Sequence, residues 1–145
     1  GASAAYWIAS QARTIAANAM AMVGSLGTFT VLYDLSKMAE MEGVRVHVVS
    51  TGDRKGAAAP GMPVTDDDLV EAKRLVDGFD GFFRAAVREG RELGAKDASA
   101  LWTGSMWMAG EAKGLGLLDR VEALDASVER LAAPLRARAA KARLA

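Results

Sequence analysis

Two residues of this chain have the type and setting for nucleophilic chemistry, Ser3 and Lys55. Ser3 stands immediately before a run of good helix formers, Ala4 to Gln11. That position is a helix N-terminus, where unpaired backbone N–H groups and the dipole favour negative charge. A serine alkoxide or a tetrahedral oxyanion is such a charge, and the N–H of Ala4 is a natural donor to it. The position equally suits a plain capping serine, and the local sequence does not separate the two. Lys55 is followed by small residues, Gly56 to Ala59, and then Pro60. A loop of that kind can fold over a lysine and bury it, although Asp53 and Arg54 beside it favour solvent. Burial disfavours the ammonium form and lowers a pKa normally about 10.4, which turns lysine into a general base. A serine served by such a lysine is a Ser–Lys dyad, and its chemistry is acyl transfer.

The rest of the composition closes other routes. There is no cysteine, so disulfides, thiolate metal sites and cysteine nucleophiles are excluded together. The one histidine, His47, would have to serve any Ser-His-Asp triad, yet it lies in the β-branched run Val44 to Val49 and reads as a strand residue facing a neighbour. A His-rich metal centre cannot be built from this chain, and no cofactor is expected. The 18 basic and 18 acidic residues cancel, so nothing steers the chain toward nucleic acid or an anionic membrane. The basic tail, with Arg136, Arg138, Lys141 and Arg143, reads as a solvated helix end. Apolar stretches are interrupted well short of a membrane span.

The elements that must position Ser3 and Lys55 follow from periodicity and punctuation. With 145 residues, 51% of them apolar, the chain has the size of one domain, 1–145. A helix over Ala4 to Gln11 leads to a short strand at Thr14 to Asn18. Gly24-Ser25-Leu26-Gly27 turns into a second strand, Thr28 to Leu32, and Asp34 caps a helix running to Glu42. Val44 to Val49 is a buried strand by composition. This strand–helix–strand alternation marks an α/β layer. Residues 50–64 form a long loop, the kind that carries function. Thr65 and Asp68 form a capping box that starts the clearest helix, reaching to about Leu93. Leu69, Ala72, Val76, Phe79, Phe83 and Val87 give it one apolar face, while Arg84, Arg88 and Arg91 suit its C-terminal dipole. A helix at Met108 to Lys113, a strand at Leu117 to Val121 and a helix from about Asp125 complete the chain.

Four segments carry a resemblance. Ala2-Ser3-Ala4-Ala5-Tyr6-Trp7 is similar to the nucleophile motif of the signal peptide peptidase A family of serine peptidases, with its phage and prophage capsid-protease relatives. Gly24-Ser25-Leu26-Gly27 resembles the family's Gly-Ser-(Ile/Leu)-Gly. Thr51-Gly52-Asp53-Arg54-Lys55 resembles the segment that carries its general-base lysine, at the spacing of the short bacterial members. Trp102-Thr103-Gly104 through Glu111-Ala112 to Gly116-Leu117-Leu118-Asp119 resembles the family's closing pattern. The four occur in order and span nearly the whole chain.

The resemblance implies a Clp protease/crotonase-like α/β fold and a serine endopeptidase that works through an acyl-enzyme. It assigns Ser3 as nucleophile, Lys55 as base, Ala4 N–H as oxyanion donor, and Ser25 as the hydroxyl that orients the lysine amine. Ser25 equally suits a tight turn between two glycines. Tyr6 and Trp7 read as core anchors, and Glu111 and Asp119 as groups that satisfy backbone N–H. The implied substrates are peptides with small or apolar residues at the cleavage point, in signal-peptide remnants or phage head proteins. Relatives form closed homo-oligomers that sometimes complete the dyad across subunits. Family members also have an upstream half that supplies the first strands, a second oxyanion donor and, in some, a membrane anchor. This chain is therefore expected to be the C-terminal part of a longer enzyme, in a bacterial or phage setting, and to associate through its uncovered edges. The rival expectation is a catalytically inactive crotonase-like scaffold or assembly subunit. An acyl-CoA enzyme of the same superfold would usually need a catalytic carboxylate in place of the Ser–Lys pair.

Overall fold

The computed structural model describes residues 1–94 and 99–142. In chain order its elements are α1 (Ala4–Ser10), β1 (Ala16–Ala17), β2 (Met22–Gly24), α2 (Ser36–Met41), α3 (Asp66–Gly90), a single 3-10 turn at Ser99–Leu101, β3 (Met106–Met108), α4 (Ala109–Gly114), β4 (Arg120–Val121) and α5 (Leu124–Ala142). The alternation of helices with short strands is compatible with the α/β class. The chain divides into two compact units: an outer unit, Gly1–Gly27 with Phe82–Ala145, and a middle unit, Thr28–Gly81.

In the outer unit two small ladders hold the ends of the chain together. β1 pairs in parallel with β4, Ala16 opposite Arg120, and β2 pairs antiparallel with β3, Val23 opposite Trp107. Around them Tyr6, Val23, Leu26, Phe83, Val87, Leu101, Ala109, Ala112, Leu117 and Leu118 form one buried core. Trp7 stacks on Phe83 with ring centroids 4.9 Å apart and planes 8° from parallel, a favourable aromatic arrangement. Trp102 lies under two cations, the guanidinium groups of Arg84 and Arg88 at 5.1 and 5.5 Å from its ring centre.

The middle unit is built differently. The expected strands Thr28 to Leu32 and Val44 to Val49 belong to no helix and have no ladder pairing. A β-branched run becomes a strand only where a neighbour takes up its N–H and C=O groups, and among the described residues neither run has one. Val44, Val48 and Val49 are accordingly exposed. The capping box at Thr65 holds, whereas the cap expected at Asp34 falls one residue early, since Leu35 is the N-cap of α2 and no side chain caps it. Thr65 N–H donates to Asp68 Oδ2 at 2.9 Å and Asp68 N–H to Thr65 Oγ1 at 3.2 Å, closing the box at the start of α3. Asp34 Oδ1 accepts from Ser36 N–H at 3.0 Å at the head of α2. The Ser36 hydroxyl, with the Ser36 N–H, holds the Asp34 carboxyl below the ordinary carboxylate range, and the Thr65 N–H, with the Thr65 hydroxyl, does the same for Asp68. α3 ends at Gly90, short of Leu93, where Leu93 N–H folds back to Arg88 C=O at 3.0 Å. Its apolar face is only partly used: Phe83 and Val87 are buried, whereas Leu69 and Phe79 are exposed. Of the basic tail, Arg143 lies outside the described residues.

Candidate active site

Ser3 sits on a sharp turn between an extended bridge and a helix. Ala2 pairs in parallel with Gly24, and Ser3 N–H donates to Gly24 C=O at 2.9 Å. One residue later α1 begins, and Ser3 C=O accepts from Tyr6 and Trp7 N–H at 2.9 and 3.0 Å. Between these constraints Ser3 takes φ 52° and ψ −129°, a left-handed conformation that is strained for any residue with a Cβ. A capping serine has extended backbone and spends its hydroxyl on the helix. Ser3 does neither: its side chain makes no capping bond and it is exposed. The turn thus leaves the Ser3 hydroxyl without a capping bond on an exposed residue, and strained strand-to-helix turns are a setting in which serine nucleophiles occur. Ala4, also exposed, contributes the first N–H of α1, a donor with no acceptor inside the helix.

Gly24 fixes this turn from below. With φ +131°, it lies where a Cβ would run into the Ser105 carbonyl oxygen and come within 2.7 Å of the Trp107 ring. Ser25 follows, also left-handed at φ 52°, with its N–H bonded to Ser105 C=O at 2.7 Å. Ser3 and Ser25 are therefore linked through a single residue. The backbone of Ser25 is thus set by its bond to Ser105 and not by a hydrogen-bonded turn between the two glycines.

α1 is anchored from the core. Tyr6 OH donates to Leu117 C=O at 2.8 Å, and burial pushes its pKa up to about 12 despite the nearby Arg91. Asp119 Oδ2 accepts from Ile15 N–H at 2.6 Å and Oδ1 from Arg91 Nη2 at 2.9 Å. The Arg91 side chain is only 7% exposed and also donates to Gly116 C=O at 3.1 Å. Glu111 Oε2 accepts from Met108 N–H at 3.0 Å. Tyr6, Trp7, Glu111 and Asp119 thus play the supporting parts read from sequence. The Arg91–Asp119 pair and the Ser105–Trp107 wall were not foreseen. An arginine in a helix's last turn looks like dipole compensation, and the sequence around Ser105 gives no signal.

Lys55 belongs to the middle unit and is exposed, which corrects the expectation that its loop buries it. Gly56 to Ala59 are too small to cover it, and the loop satisfies itself with short-range turns. Lys55 N–H donates to Gly52 C=O at 3.0 Å, and Met62 N–H to Ala59 C=O at 2.9 Å. Lys55 borders an open depression of about 500 Å³, together with Asp53, Arg54, Thr65 and Asp68. Arg54 is engaged with Asp67 at 3.9 Å. His47, expected in a strand, is exposed and lies outside any helix or strand of the same unit. Among the described residues no group of three His, Cys, Asp or Glu side chains could hold a metal ion, and no helix is long and apolar enough to cross a membrane.

Residues 1–138 match the family model described as Peptidase family S49. Protease 4 of Haemophilus influenzae is 29% identical over 132 residues, which cover 89% of this chain and 21% of that protein. Na(+)/H(+) antiporter NhaA proteins of Brucella abortus and Brucella melitensis are 29% identical over 118 residues, 81% of this chain and 16% of theirs. The chain spans about a fifth or less of these relatives.

Proposed function

This chain belongs to peptidase family S49, and we propose that it carries the nucleophile and the general base of a serine endopeptidase. Ser3 Oγ attacks the scissile carbonyl while Lys55 Nζ accepts its proton, and the tetrahedral oxyanion is held by the N–H of Ala4. The lysine then returns the proton to the leaving amine, giving an acyl-enzyme that water hydrolyses by the same route. Ser25 orients the lysine amine. The scaffold is of the Clp protease/crotonase-like type, and the working form is a homo-oligomer in which a neighbouring subunit can complete the dyad. Substrates are peptides with small or apolar residues at the cleavage point.

One observation carries this reading above the others: Ser3 is exposed and left-handed at the head of α1, with its hydroxyl uncommitted to capping. A serine held in strain without a capping bond is unexplained by stability alone. The second reading, an inactive scaffold, is favoured by the exposure of Lys55. A fluorophosphonate probe on the whole protein separates them. The peptidase reading expects one covalent adduct on Ser3, found by mass spectrometry and lost in Ser3→Ala. A folded protein that takes up no probe at Ser3 is a scaffold.

A further inference from the structure

Ser3 keeps its strained backbone through ties on both sides. On the C-terminal side its carbonyl is held by α1. On the N-terminal side the Ala2 bridge and the Ser3 N–H bond of 2.9 Å both end on Gly24. A strained conformation persists only where its surroundings over-determine it, so loosening Gly24 would release that whole side. Glycine supplies little rigidity of its own, because its backbone has the widest choice of conformations. Gly24 stands at φ +131°, and what keeps it there must come from its neighbours.

β3 and the residue before it supply those neighbours. Gly24 lies opposite Met106, and Val23 opposite Trp107. Ser105 C=O accepts the N–H of Ser25 at 2.7 Å and so fixes the residue after Gly24. The Trp107 indole bears on Gly24 itself. Carbons Cε3 and Cζ3 of its six-membered ring lie 2.7 and 2.9 Å from the point that a Cβ at position 24 would occupy. The flat ring thus fills the space of the missing side chain. Met106 and Met108 are exposed, whereas Trp107 is half-buried and packed against the buried cluster. Close-packed interiors give little room for such a ring to back away. Contact therefore runs from the core through Trp107 to Gly24, and a hydrogen bond carries it on to Ser3.

We propose that Trp107 is a positioning residue for Ser3, acting through Gly24 to hold the turn in its reactive geometry. This rests on the peptidase reading of Ser3 and adds to it a residue that works from behind the turn. The whole protein is reacted with a fluorophosphonate probe over a range of concentrations, which separates the rate constant of the bonding step from the affinity for the probe. Trp107→Ala is expected to lower that rate constant at least about tenfold per folded molecule and to leave the affinity within about twofold, as misplacement of a reacting group does. Trp107→Phe, which keeps a flat ring, should recover most of the rate. Trp107→Leu, which keeps apolar bulk without a plane, should not. A tryptophan that serves stability alone would lower only the folded fraction, read by circular dichroism, and leave the rate per folded molecule at the parent value. That result in Trp107→Ala overturns the proposal. Where the alanine variant does not fold, Trp107→Leu reacting as fast as Trp107→Phe overturns it in the same way. Absence of Ser3 labelling in the parent would sink the peptidase reading and this role together, whereas full-rate labelling in the Trp107 variants would sink the positioning role alone.

Discussion

The outer unit buries Tyr6, Leu26, Phe83, Leu101 and Leu117, whereas in the middle unit Phe29, Val31, Val49 and Phe79 all face solvent. Every fully buried apolar side chain among the described residues belongs to the outer unit. Both units are rich in apolar residues, so composition does not make the difference. Partners do. The outer unit draws its ladders and core from the two ends of the chain, and Ser3 is pinned by that closure. Lys55 stands in a unit that holds itself together by caps and turns. Its position is set by a few local hydrogen bonds, each of modest net strength, with no core of its own behind them.

The largest expected effect separates chemistry from stability. Replacing Lys55 by Met or Arg should lower acylation of Ser3 roughly 10⁴-fold or more, as removal of one member of a catalytic set does. Because Lys55 is exposed, the denaturation midpoint should stay within about 0.5 kcal/mol of the parent. Retained labelling in Lys55→Arg would remove the lysine from the mechanism.

The comparison can be drawn sharply inside α3, where two phenylalanines stand four residues apart on the two sides of the division. Phe83 is 2% exposed and Phe79 is 62% exposed. Phe83→Ala should cost about 3–5 kcal/mol in urea unfolding, with loss of the Trp7 stack. Phe79→Ala should cost less than about 1 kcal/mol. Equal losses would mean that the middle unit has a core after all.

Gly24→Ala tests the wall beneath Ser3. The new methyl meets the Ser105 carbonyl and the Trp107 ring at a left-handed φ. About 2–4 kcal/mol of stability should be lost, together with Ser3 labelling, from the sum of overpacking and backbone strain.

The acid limb gives a smaller difference. Hydrogen bonding to Arg91 holds the Asp119 carboxyl below its usual 3.8. A carboxyl depressed in the folded state contributes stability that is full above its ordinary value and is lost as pH falls through the lower folded one. Asp119→Asn should therefore cost about 1–2 kcal/mol at neutral pH, discounted because the carboxylate is partly exposed. It should also flatten the fall in stability below about pH 4. A variant with an unchanged acid limb would show that the pair contributes nothing net. Last in size, Thr65→Ala opens the capping box of α3 and should cost about 1 kcal/mol.

How much of this was legible in the sequence divides along the same line. Caps are local, and the Thr65–Asp68 box was readable because donor and acceptor lie within three residues, while at α2 the cap position fell to Leu35 and not to Asp34. Tyr6 and Trp7 as anchors, and Glu111 and Asp119 as backbone partners, were also readable. Strands were not. Val44 to Val49 has every propensity of a strand and lacks only a neighbour, which no single run encodes. The Ser3 turn was legible as a helix start, while its left-handed backbone depends on Gly24, far along the chain. Burial of Lys55 was inferred from small neighbours, and small neighbours turned out to be the reason it is uncovered.

Trp7, Trp102 and Trp107, the three tryptophans of the chain, all lie in the outer unit. Indole fluorescence is therefore a reporter of that unit alone, with Trp102 close to two guanidinium groups and Trp107 against the backbone that holds Ser3. Far-ultraviolet dichroism, by contrast, sums the helices of both units. Recorded on one sample against denaturant, the two signals become a clock with two hands. They cross their midpoints together if the units melt as one body, and they separate if the middle unit lets go first.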